Sequence, residues 1–150
     1  MSPNPIYLIF ATSGSVGPLF LRLAVAGLLG YHGMQKTLGW FGGAGWDATI
    51  AAWTSSEGHF SIAASLAATA IVGELLIALS MFFGLFVRFS SVGLIILMFG
   101  AIILVHWPEG FAAIQYPLLI AVIGLSLMAM GGGLLSIDRA ISRTLLPTIG

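Results

Sequence analysis

Apolar residues fall into four long runs separated by short polar stretches, at about 18–37, 62–85, 89–106 and 117–135. A bilayer core about 30 Å thick takes roughly 20 apolar residues as helix, so each run predicts a transmembrane helix. The third run is short; it stands upright or is completed by His106. The runs are too long and too evenly apolar for the alternating strands of a barrel. Pro18 and Pro117 stand where a helix can start, because its first turn has unbonded N–H groups anyway. The predicted fold is all-α: one integral membrane domain over 1–150, built as a bundle of four transmembrane helices.

The longest polar segment is the loop 38–61. Within it Trp46, Ile50 and Trp53 recur at helical spacing, which predicts a short interfacial helix. Segment 1–17 has no basic start ahead of its short apolar run, so it does not read as a cleavable signal peptide. It is expected to lie along the interface or to pack on a neighbour.

Composition narrows the function classes. Hydrophobic residues make up 59% of the chain and charged ones 7%, with zero formal net charge. A soluble domain carries roughly 25% charged residues, so this chain cannot coat a water-soluble enzyme. It lacks the basic patch of a nucleic-acid binder and the low hydrophobicity of a disordered tail. Cysteine is absent, which removes disulfides and thiolate metal sites. An even number of spans puts both termini on one side. Arg88, Arg139 and Arg143 fall on that side and only Lys36 on the other, so the termini are predicted to be cytoplasmic. Arg22, near the cytoplasmic end of the first run, is expected to snorkel outward rather than pair with Glu74.

Glu74 is the most informative residue. It lies near the middle of the second run, where an ionised carboxylate is costly. Ala63, Ala67, Ala70 and Ala78 share its helical face, while Leu76, Leu79 and Phe83 point the other way. Small residues mark close helix contact, so Glu74 is expected to face the bundle interior. It reads either as a proton carrier beside a quinone-like ligand or as a neutral interhelical hydrogen bond.

His32, His59 and His106 all fall on the predicted external side. Imidazoles can bind metal or haem and can relay protons. None of the paired spacings of metal-binding helices is present, so interfacial hydrogen bonding is the stronger reading, and haem or metal the weaker. Trp40, Trp46, Trp53 and Trp107 cluster on the same side, as an aromatic belt, a docking surface or a ligand vestibule. At the opposite end, Arg88 and Asp138 are expected to form a structural ion pair. Gly131-Gly132-Gly133 should break the fourth helix; without a basic anchor it is no phosphate loop.

These residues resemble the DoxX family of small four-helix bacterial inner-membrane proteins. His32-Gly33, Lys36 and Gly39 are similar to its first-helix signature, and Glu74, Gly84 and Arg88 to its second helix and turn. His106-Trp107-Pro108 resembles the end of its third helix. Gln115-Tyr116-Pro117 resembles the start of its fourth, although an acidic residue often stands at position 115. The closing run Gly131-Gly132-Gly133-Leu134-Leu135-Ser136-Ile137-Asp138-Arg139 resembles its final motif. The resemblance covers about 18–143. It implies a multi-pass protein of the bacterial inner membrane, from a family associated with quinone-linked redox complexes, including thiosulfate:quinone oxidoreductase, and with oxidative-stress membrane complexes.

The expected function is an integral membrane subunit of a quinone-linked redox complex. The head group would be contacted by His32, Lys36, Glu74, His106 and Trp107, with Glu74 transferring a proton. Quinone is the expected ligand and no covalent cofactor is expected. The partners would be the lipid bilayer and further membrane subunits, in a homo- or hetero-oligomer. The alternative is a non-catalytic structural or assembly subunit. A solute or proton channel would need more polar groups inside the spans than the chain supplies.

Overall fold

The computed structural model describes residues 10–56 and 61–145, and every regular element among them is helical. Helix α1 is Gly17–Leu38, α2 is Gly45–Thr54, α3 is Ala64–Phe83, α4 is Val87–Ala101, α5 is Phe111–Met130 and α6 is Ile137–Leu145. A 3-10 turn, Trp40–Gly42, joins α1 to α2, and a π-helical turn, Ile102–His106, extends α4. His59 lies outside the described residues, as does most of the apolar run at the N-terminus.

Helix α1 starts with Pro18 in its first turn and stops at Gly39, whose φ of 69° suits a residue without Cβ. Its buried residues Pro18, Arg22, Val25, Ala26, Leu29, Gly30 and Gly33 form one stripe at intervals of three and four. That stripe packs antiparallel on α3. A Cβ on Gly30 would lie 3.8 Å from the Ala78 Cβ, and one on Gly33 would lie 3.5 Å from the Leu75 Cα. Small residues at both crossings let the backbones approach and fix the register.

Helix α3 buries Ala67, Ile71, Glu74, Ile77, Ala78 and Met81. Glu74 thus shares its face with Ala67 and Ala78; Ala70 is half-buried and Ala63 is exposed at the helix start. Leu76, Leu79 and Phe83 are exposed on the opposite side. Helix α4 buries Val87, Ser90, Ser91, Leu94 and Met98. Ser90 and Ser80 bond through their hydroxyls at 2.6 Å, tying α4 to α3. Helix α5 packs on α4 where Gly124 meets Leu94 and Ile95. Among the described residues, three helices are long and apolar enough to cross a membrane: Ala64–Phe83, Val87–His106 and Phe111–Met130.

The fourth run departs from expectation at both ends. Its helix begins at Phe111, after Gly110 at a φ of 85°, and Pro117 is buried inside it rather than at its start. A proline withholds one backbone N–H, and in a bundle neighbouring helices make up for that loss. The helix stops at Met130 rather than Leu135. Gly131 turns the chain at a φ of 72°, and a Cβ there would sit 2.6 Å from the Ala11 carbonyl. The segment before α1 lies against this turn: Ser13 donates to the Met130 carbonyl at 2.8 Å and Leu134 to that of Ser15 at 3.0 Å.

Arg22 does not snorkel. It is 1% exposed. Its Nε donates to the Gly132 carbonyl at 3.0 Å. Its Nη1 donates to those of Met81 and Phe82 at 2.9 Å each, and its Nη2 to that of Leu135. Met81 and Phe82 end α3, whose last carbonyls have no intrahelical partner. The guanidinium supplies those donors and joins α1, α3 and the glycine turn.

The expected Arg88–Asp138 ion pair does not form. Each side chain instead satisfies backbone groups, which offer partners already fixed in place. Arg88 donates to the carbonyls of Ala11 at 2.9 Å and Ala129 at 3.0 Å. Asp138 accepts from the amides of Phe86 at 2.7 Å and Val87 at 2.9 Å, so it caps the start of α4 from a distance. Burial pushes the Asp138 carboxyl above its usual range, against the pull of those amides and of Arg22 and Arg88. Asp138→Ala would strand two amides at the α4 start. The expected cost is about 2–3 kcal/mol, read as a lower thermal unfolding midpoint in detergent.

Candidate functional site

The opposite end of the bundle carries the expected chemistry. Lys36 lies in the last turn of α1, and the Gly30 and Gly33 contacts place that turn beside the middle of α3. Its Nζ is 2.5 Å from Oε2 of Glu74. The Glu74 side chain is 7% exposed and that of Lys36 29%, so the carboxylate is inside the protein and the ammonium is reached from one side.

That side is formed by α2. Glycines let the chain double back after α1: a Cβ on Gly43 would fall 2.3 Å from the Gln35 carbonyl oxygen, so only glycine can pass there. The reversal lays α2 against α1 and α3. It leaves a recess of about 300 Å³ lined by Gln35, Lys36, Ala48, Thr49, Ala52 and Trp53, among others. The Lys36 Nζ stands 5.4 Å from the centre of the Trp53 ring, within range of a cation–π contact.

Helix α5 adds Tyr116, which lies within electrostatic reach of Glu74. The Tyr116 ring meets His32 edge-on with centroids 6.4 Å apart. His32 Nδ1 is 3.2 Å from Oε1 of Gln35, and the Gln35 amide donates to the Phe41 carbonyl at 3.4 Å. The structure therefore brings Lys36 and Glu74 together directly, while His32 stands one turn before Lys36 on α1 and meets Tyr116 and Gln35.

His106 and Trp107 do not join them. His106 Nδ1 is 3.3 Å from Oε2 of Glu109 in the turn after α4, and Trp107 is 68% exposed. Among the described residues no three His, Asp or Glu side chains converge on one point. Sequence reasoning did not assign Tyr116, Trp53 or Gln35 to the site. For Gln35 the signal was present: it stands three residues beyond His32 on the same helix and next to Lys36. Tyr116 and Trp53 come from other helices and required the packing.

Chemically, the arrangement provides one ammonium donor and one aromatic ring, that of Trp53, at a small opening, with a buried carboxylate behind the ammonium. It can hold a compact ligand with hydrogen-bond acceptors at Lys36, and Glu74 is linked to that ligand through the Lys36 ammonium. No curated protein and no solved structure gives a significant match to the chain. The DoxX family profile matches residues 17–107. That stretch includes His32, Lys36 and Glu74 and stops before Tyr116 and the glycine turn. Covering more than half of the sequence, it shows that the chain belongs to the DoxX family.

Proposed function

We propose that the chain is an integral membrane subunit of a quinone-linked redox complex and contributes a quinone head-group site at Lys36 and Glu74. The observation that carries this reading is the part-buried Lys36–Glu74 pair beside a recess walled by Trp53. A quinone presents carbonyl oxygens that accept hydrogen bonds and takes up protons as it is reduced. Lys36 donates to one such oxygen. Trp53 supplies aromatic surface, the electrons come from a redox subunit of the same complex, and Glu74 takes or hands over the proton through Lys36. His106 and Trp107 have no part in it.

In this reading α1 is a fourth span beside α3, α4 and α5, and the protein lies in the bacterial inner membrane. All four arginines gather at the end where the described residues begin, at Phe10, and stop, at Leu145, which supports a cytoplasmic placement of that end. Exposed Trp40, Phe41 and Trp46 at the other end offer a face to a further membrane subunit, in a homo- or hetero-oligomer.

Quinone-dependent turnover of the isolated complex tests the proposal. Glu74→Gln should lower the rate by about 100-fold or more, the contribution of a positioned proton donor or acceptor. Unchanged turnover with unchanged quinone affinity removes Glu74 from the mechanism. The second reading, a non-catalytic structural or assembly subunit, is favoured by the fact that Lys36 and Glu74 already satisfy each other. It predicts that the same variant lowers the yield of complex without changing turnover per complex.

A further inference from the structure

Two of the four arginines are consumed by the fold, and a third, Arg139, is engaged through Nη1. Arg22, Arg88 and Arg139 all donate to backbone carbonyls, Arg139 to that of Ser13 at 3.0 Å. Arg143 is exposed and makes no hydrogen bond or ion pair with any described residue. It stands one turn beyond Arg139 on α6, so the two project on the same face. Between that face and the end of α3 is an open recess of about 400 Å³, lined by Phe83, Leu135, Ser136, Ile137, Arg139 and Arg143, among others.

Two properties of this recess define its ligand. Among the described residues it carries positive charge with no opposing acid: Asp138, the one described acidic residue at this end, is 1% exposed and bound to the α4 amides. Its walls are apolar and open, with Phe83 54% and Leu135 64% exposed. Phe83 is the last residue of a helix long enough to cross a bilayer, so the recess sits at the boundary of the hydrocarbon core. A free inorganic anion would use the guanidiniums and leave the apolar walls wet. A phospholipid uses both, with phosphate at the arginines and acyl chains along Phe83 and Leu135.

We propose that this recess is a binding site for an anionic phospholipid, with Arg143 as its principal phosphate contact and Arg139 as the second. The site is independent of Lys36 and Glu74. It anchors α6, and through Asp138 the start of α4, to the surface of the membrane.

Native mass spectrometry of the detergent-solubilised protein tests this. Dioleoyl phosphatidylglycerol should be retained in preference to dioleoyl phosphatidylcholine. Arg143→Gln should lower that retention about fivefold, the contribution of one arginine near an anionic surface, and Arg143→Lys should keep most of it. Ala140→Glu, which places a carboxylate in the same recess, should lower it in a second way. Millimolar inorganic phosphate should not displace the lipid. Equal retention of the two lipids, unchanged retention in Arg143→Gln and Ala140→Glu, or displacement by free phosphate would each overturn the proposal.

Discussion

Arg22→Met should lower the thermal unfolding midpoint of the detergent-solubilised protein by about 6–20 °C. The guanidinium is the donor to four backbone carbonyls, those of Gly132, Met81, Phe82 and Leu135. Methionine fills much of the same volume and donates to none of them. Hydrogen bonds to a charged group contribute about 1.5–3 kcal/mol each, and buried acceptors stripped of a partner cost about 1–3 kcal/mol each. Partial relaxation and water entry reduce the sum, and about 3–5 kcal/mol is the expected net loss, the range for breaking a buried charged network. At about 2–4 °C per kcal/mol for a chain of this size, that gives the stated shift. Arg22→Lys should recover only part of it. An ammonium is a compact donor and lacks the planar fork that reaches Gly132 from Nε while Nη1 and Nη2 reach the other carbonyls. A midpoint within about 2 °C of the parent for Arg22→Met would show that the carbonyls find other donors.

The same residue shows how far the sequence could be read. Its burial was legible in outline, because Arg22 stands on the stripe that also carries Pro18, Val25, Leu29 and Gly33. Reading it as a snorkelling side chain gave more weight to its closeness to the helix end than to its face. Periodicity located α1, α2 and α3 closely, and the face that holds Glu74 followed from its alanines. It failed at the fourth helix, where a proline could be tolerated inside a packed span and a glycine at positive φ set the true start. The partners of Arg88 and Asp138 were beyond reach for a different reason. They are backbone groups at the ends of other helices, and no side-chain pattern advertises a carbonyl or an amide. The Lys36–Glu74 contact needed the α1–α3 register, which Gly30 and Gly33 set by admitting Ala78 and Leu75.

That contact supports the second large prediction, and it separates the two readings of the protein. Glu74→Leu leaves the Lys36 ammonium without its carboxylate, and Lys36→Met leaves the buried carboxylate without its ammonium. Breaking a buried pair from one side costs about 3–5 kcal/mol. Lys36 is partly open to the recess, which moves each single variant toward the lower figure. The double variant Lys36→Met with Glu74→Leu removes both charges and leaves apolar side chains where the pair stood. Replacing a buried pair in this way is often neutral or stabilising, so the double variant should melt above both single variants and within about 4 °C of the parent. Such a protein would be folded and assembled, yet stripped of its proton carrier and its donor. If the pair serves quinone chemistry, the complex containing it should lose turnover by about 100-fold or more while its yield stays near normal. If the pair only holds α1 to α3, yield and turnover should both return with stability. A double variant that melts as low as the worse single variant would show that the two side chains are not coupled to each other, and the site built on their contact would have to be abandoned.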